Sequence, residues 1–121
     1  MTGDSPYIAQ MLECIEKIKE FTADVSQDKF ARDDMRQSAV LMQLLLTGEL
    51  SKRISSDTKS EIAIPWPQIA GMRNRVAHEY YEIDLENVWK IISEDLAATE
   101  TPLAAYLAAH PLPPDPSSGQ V

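Results

Sequence analysis

The sequence predicts an all-α fold, and three observations carry that prediction. Apolar residues recur at spacings of three and four along most of the chain, no segment alternates with period two, and helix-starting and helix-breaking residues fall between the apolar runs. The expected architecture is an antiparallel bundle of four to five helices forming one domain over residues 1–109. Residues 110–121 carry four prolines with Ser-Ser-Gly and have almost nothing to bury, which predicts a disordered tail containing His110.

Ser5-Pro6 opens the first helix, with Ser5 as N-cap and Pro6 at the first helical position. Ile8, Met11, Leu12, Ile15 and Ile18 then form one apolar stripe over about 6–22. Cys14 lies off that stripe and reads as a small packing residue. After a polar segment at 24–28, a long helical pattern runs to about Ile54, with Asp33-Asp34 as a solvated helix-end pair. The centre of this pattern, 40–46, is apolar nearly all the way round and must be covered on every side. Neighbouring helices of so small a protein do not suffice, so part of this surface is expected to pack against a second copy. Gly48 in the same helix costs roughly 1 kcal/mol against alanine, a cost that close approach of another helix would offset.

Ser55-Ser56-Asp57 caps a short helical turn over 58–62. Ile64-Pro65-Trp66-Pro67 is extended or a turn, because a residue before proline is pushed out of the α region. Pro67 suits the first turn of a helix whose core face is Ile69, Met72 and Val76 and which ends at about His78. Glu82-Ile83-Asp84 breaks the pattern, and Asp84 caps a helix with the stripe Leu85, Val88, Trp89, Ile92 and Leu96. Thr101-Pro102 interrupts it, as a kink or as the cap of a last helix over 103–109.

Composition sets outer bounds. An apolar fraction of 44% and a charged fraction of 25% are those of an ordinary globular protein. No apolar run reaches the ~20 residues of a membrane span, and the first residues lack the pattern of a signal peptide. One cysteine excludes an internal disulfide framework and suits a reducing compartment, so the expectation is a cytoplasmic protein without membrane contact. The net charge of −8 argues against non-specific binding to nucleic acid, which is driven by counterion release. Lys52, Arg53, Arg73 and Arg75 form a local basic cleft if the helices bring them together.

The chemistry-bearing stretch is Met72-Arg73-Asn74-Arg75-Val76-Ala77-His78-Glu79-Tyr80-Tyr81. Asn74 and His78, four apart, share a helix face. Arg73 and His78, five apart, stand about 140° round a regular helix and converge only if the arginine bends across or the helix changes course. A histidine titrating near neutrality can take a proton from a ribose 2′-OH, and an adjacent arginine can grip the scissile phosphate. Asn74 can orient the imidazole or bond the substrate. A second reading stays open: Arg73 and Arg75 pair with Glu79 and Glu82, His78 meets the helix dipole, and Tyr80 and Tyr81 are half-buried packing residues. Two histidines and one cysteine offer no zinc spacing, and no phosphate loop or hydrolase motif is present.

Ile64-Pro65-Trp66, the stretch Ile69-Ala70-Gly71-Met72-Arg73-Asn74-Arg75-Val76-Ala77-His78-Glu79-Tyr80-Tyr81, Asp84-Leu85 and Val88-Trp89 together resemble the HepT-like branch of the HEPN superfamily. The likeness reaches back to Gly48-Glu49 and Lys52-Arg53 and covers roughly residues 5–108. It implies an all-α homodimer acting as a metal-independent endoribonuclease toxin, with Arg73 and His78 catalytic and Asn74 supporting them. Arg75, Lys52 and Arg53 would bind RNA, and no metal or other cofactor is expected. The implied partner is a minimal nucleotidyltransferase antitoxin that transfers AMP from ATP to Tyr80 and silences the nuclease. Many relatives have glycine where this chain has Glu79, a residue that brings a negative charge beside the phosphate site. Two other classes compete: a non-catalytic partner subunit of a nucleotidyltransferase, which the −8 charge suits, and a plain helical dimerisation domain.

Overall fold

Four long helical runs laid in alternating directions make the fold, seen in a computed structural model that describes residues 3–114. Three are α1 (Ser5–Thr22), α3 (Asp34–Ser51) and α5 (Trp66–His78). In the fourth, α6 (Leu85–Lys90) passes through one π turn (Ile91–Asp95) into α7 (Leu96–Ala109) without leaving helical backbone. Two short helices, α2 (Gln27–Ala31) and α4 (Ser56–Glu61), and a 3-10 turn (Tyr80–Glu82) fill the connections. The described residues contain no strand. The expected tail lies partly outside the described residues, which stop short of 115–121.

Contacts at the helix ends set the directions. Arg36 at the start of α3 donates to the Phe21 carbonyl near the end of α1, and Arg53 just past α3 lies 6.0 Å over the Tyr7 ring. α1 and α3 are therefore antiparallel. Ser5 Oγ donates to the His110 carbonyl at 2.7 Å, while Lys19 Nζ reaches the Glu100 carboxylate at 3.2 Å, so α1 and α7 are antiparallel as well. Ile8, Met11, Ile15 and Ile18 of α1 are buried against Val40, Leu41 and Leu44 of α3, Met72 and Val76 of α5, and Val88, Leu96 and Leu103 of the last run. Each such side chain contributes about 1.5–3 kcal/mol on leaving water. A small apolar cavity of about 80 Å³ remains where the four runs meet, lined by Ile15, Leu44, Met72, Ile91 and Leu96 among others.

Several local expectations change. The N-cap of α1 is Asp4, not Ser5; Ser5 sits one residue inside the helix and spends its hydroxyl on the His110 carbonyl. Asp4 instead accepts from Ser55 N–H and Oγ, joining the start of α1 to that of α4. The single helix expected up to Ile54 is two. Ser26 caps α2, the chain turns at Arg32-Asp33, and Asp33 caps α3 by accepting from Arg36 N at 3.0 Å. The turn lets Phe30 of α2 reach the core and pack on Trp89 of α6 with ring centroids 5.4 Å apart. Pro102 neither caps nor ends a helix, because α7 runs through it. His110 closes α7, and its ring stacks on Tyr106 at 4.2 Å.

Candidate active site

The site begins at a glycine. A Cβ on Gly48 of α3 would lie 2.2 Å from Cβ of Arg73 and 3.1 Å from the Ile69 carbonyl, so α5 crosses α3 where no side chain fits. This is the close approach expected of Gly48. It lays the Arg73 stem directly on α3 and delivers its guanidinium to the next residue, Glu49.

Arg73 Nε donates to Glu49 Oε1, and Arg73 Nη1 donates to Asn74 Oδ1 at 3.1 Å. Lys52 Nζ approaches the same Glu49 oxygen at 3.7 Å. The Arg73 side chain is 22% exposed, so part of it reaches solvent while these contacts hold its guanidinium. The hydrogen bond from Arg73 holds the Glu49 carboxyl below its usual value of 4.5, helped by the charges of Arg73, Lys52 and Arg53 against the cost of desolvation. A carboxyl with a lowered folded value stays ionised across neutral pH. Its pairing is complete above the ordinary value and is lost only as pH falls through the lowered one.

Glu49, not Glu79 or Glu82, is thus the partner of Arg73. The sequence pointed to Glu79 and Glu82 just past the end of the helix, whereas the partner lies 24 residues away. Its position beside Gly48 was the available signal, since a glycine that admits a crossing helix puts the next side chain at the crossing. The structure brings Lys52 and Arg73 together on Glu49, with Asn74 joined to Arg73. Arg53 stands apart over Tyr7, and Arg75 borders a shallow groove with Pro67, Gly71 and Asn87.

His78 is the last residue of α5 and is exposed. The helix stays regular to that point, so Arg73 and His78 keep their separation of about 140° round the axis. No hydrogen bond or ion pair among the described residues joins them. Glu79 follows at φ −133° and ψ 36°, and its N–H donates to the Arg75 carbonyl at 2.7 Å. Because φ is negative, the position makes no demand for glycine.

Of the two tyrosines read as half-buried packing residues, Tyr80 fits and Tyr81 does not. Tyr81 is 98% exposed, and Tyr80 is 39% exposed with its edge against the Tyr81 ring. Tyr80 OH lies 2.9 Å from Ser38 Oγ, which ties the 3-10 turn to α3. Ser38 was not a sequence candidate; nothing local marks a serine 42 residues from its partner. Cys14 is buried, and that burial raises its thiol above the ordinary value, as suits a packing residue.

The family model described as "Ribonuclease HepT-like" matches residues 11–107. A "Probable ribonuclease HepT" of Thermococcus cleftensis is 37% identical over 91 residues, covering 74% of this chain and 83% of the relative. A "Putative RNase MJ1380" of Methanocaldococcus jannaschii is 33% identical over 91 residues, covering 74% of this chain and 84% of the relative. No solved structure matches.

Proposed function

The chain belongs to the ribonuclease HepT-like family, and from that premise we propose that it is a metal-independent endoribonuclease, the toxin of a toxin–antitoxin pair. The observation that carries the reading is the tethered guanidinium of Arg73, held through Nε and Nη1 with an outer edge left for a phosphate, on a helix that ends in an exposed His78. In the reaction, His78 takes the proton of a ribose 2′-OH and the freed oxygen attacks the neighbouring phosphorus. The 5′ oxygen leaves and takes up a proton, giving a 2′,3′-cyclic phosphate end. Arg73 holds the phosphate and stabilises the charge that grows on it. Asn74 steadies the arginine, and Lys52, Arg53 and Arg75 offer further charge to the backbone.

The working unit is a homodimer. Met35, Met42 and Leu46 are 83%, 52% and 39% exposed and lie on one stripe of α3 that continues to Glu49. A second copy on this stripe covers the apolar surplus and brings two Arg73 seats to one cleft. That supplies a histidine to each arginine without asking one helix to face two ways.

Tyr80 is the switch. A minimal nucleotidyltransferase antitoxin would join the Tyr80 oxygen to the α-phosphorus of ATP, with pyrophosphate leaving. The added AMP then puts a phosphate and a base beside His78. Partial exposure of Tyr80 and its place two residues past the histidine support this reading. A non-catalytic partner subunit is the competing function, favoured by the −8 charge.

The test is cleavage of a mixed-sequence RNA in EDTA by the purified protein and by His78→Ala. Cutting by the first alone, with equal helical circular dichroism, is the expected result. Equal cutting by both would rule out His78 as the proton acceptor. If neither cuts, and mass spectrometry finds no AMP on the protein, the partner-subunit reading stands.

A further inference from the structure

The geometry points to Glu49 as a positioning residue for the reaction: its carboxylate fixes the Arg73 guanidinium so that the outer Nη edge, and not the Nε edge, meets the scissile phosphate. The inference deepens the ribonuclease reading and rests on it.

A guanidinium offers two edges to a phosphate, one formed by Nε and Nη2 and the other by Nη1 and Nη2. Here Nε is spent on Glu49 Oε1 and one Nη1 hydrogen on Asn74 Oδ1. What remains is Nη2 and the second hydrogen of Nη1. The absence of a side chain at Gly48 makes this possible, since Arg73 lies so close to α3 that Glu49 is the first acceptor it meets. A free arginine side chain has many rotamers to lose, and one anchored beforehand loses fewer of them when a phosphate binds. Preorganised donors also stabilise developing charge without reorganising during the reaction. Lys52, 3.7 Å from the same oxygen, balances the carboxylate and limits the repulsion Glu49 exerts on an incoming phosphate.

Glu49 touches no reacting atom, so its effect must pass through Arg73 and be greatest on turnover. The experiment measures kcat and KM on a short fluorogenic RNA in EDTA, with thermal melts, for the full chain and for Arg73→Ala, Glu49→Ala and Glu49→Gln. Arg73→Ala is expected to lose cleavage. Glu49→Ala should lower kcat about tenfold or more while KM moves less than about twofold, as for loss of a group that orients a transition-state contact. Glu49→Gln keeps an oxygen that can accept from Nε and should return to within about threefold of the parent, a rescue through hydrogen-bond geometry.

Unchanged kcat in Glu49→Ala, with Arg73→Ala inactive, would overturn the role of Glu49 and leave the nuclease reading standing. A faster Glu49→Ala would overturn it too, by making Glu49 a competitor of the phosphate. So would a fall in both Glu49 variants that tracks a loss of folded protein. Undiminished cleavage by Arg73→Ala would sink the Arg73 site and the Glu49 inference together.

Discussion

Tyr80 and Tyr81 are chemically identical neighbours with opposite surroundings. Tyr81 stands almost wholly in solvent, while Tyr80 has its hydroxyl tied to Ser38 and its ring against its neighbour. In the proposed modification Tyr80 is the acceptor, and its hydroxyl, unlike that of its neighbour, is placed by a hydrogen bond to α3. Tyr80→Phe should therefore block incorporation of labelled AMP in the presence of the nucleotidyltransferase while leaving RNA cleavage unchanged. Label that persists on the variant, mapped to Tyr81 by mass spectrometry, would move the modification site. At this scale spacing within one short stretch marked Arg73, Asn74 and His78, while the role of Tyr80 came from the family resemblance alone. Glu49 and Ser38 escaped because they lie on another helix, and only the crossing at Gly48 brings them in.

Between elements, the α3–α5 crossing is the contact most sensitive to a single atom. Alanine at Gly48 would gain about 1 kcal/mol in helix propensity but force apart backbones that leave 2.2 Å to the Arg73 stem. Overpacking of that kind costs about 1–3 kcal/mol. Gly48→Ala is therefore expected to lower the melting temperature by several degrees and to reduce cleavage more than its loss of stability explains. A melting temperature at or above the parent's would show that the helices can part freely. Helices were the most legible part of the fold, since Ser55 and Asp84 cap α4 and α6 where the sequence placed caps. Two breaks misled. Arg32-Asp33 ends a helix without glycine or proline, relying on the Asp33 side chain to start the next. Pro102 looks like a breaker, yet the run absorbs it because tertiary packing of Leu96 and Leu103 outweighs one missing N–H.

Across the whole molecule, the surplus apolar surface read from 40–46 is real but smaller than its sequence suggests. Val40, Leu41 and Leu44 are consumed by the core, and Met42 and Leu46 stay in solvent with Met35. The proposed homodimer is built on that remainder. Met42→Glu with Leu46→Glu should convert it to monomer in sedimentation equilibrium, with cleavage falling alongside, while the helical signal is kept. A variant that stays dimeric would place the contact elsewhere. Both side chains are about half exposed in the single chain, so the helical signal and a thermal melt separate loss of the dimer from loss of folding.

The cavity at the meeting point of the four helical runs has a mechanical corollary. Its walls are mostly hydrocarbon, and although it opens partly to solvent it offers water few polar partners. Unfolding erases such a void, so the unfolded chain occupies less volume than the folded one. Hydrostatic pressure should therefore act as a selective denaturant for this protein.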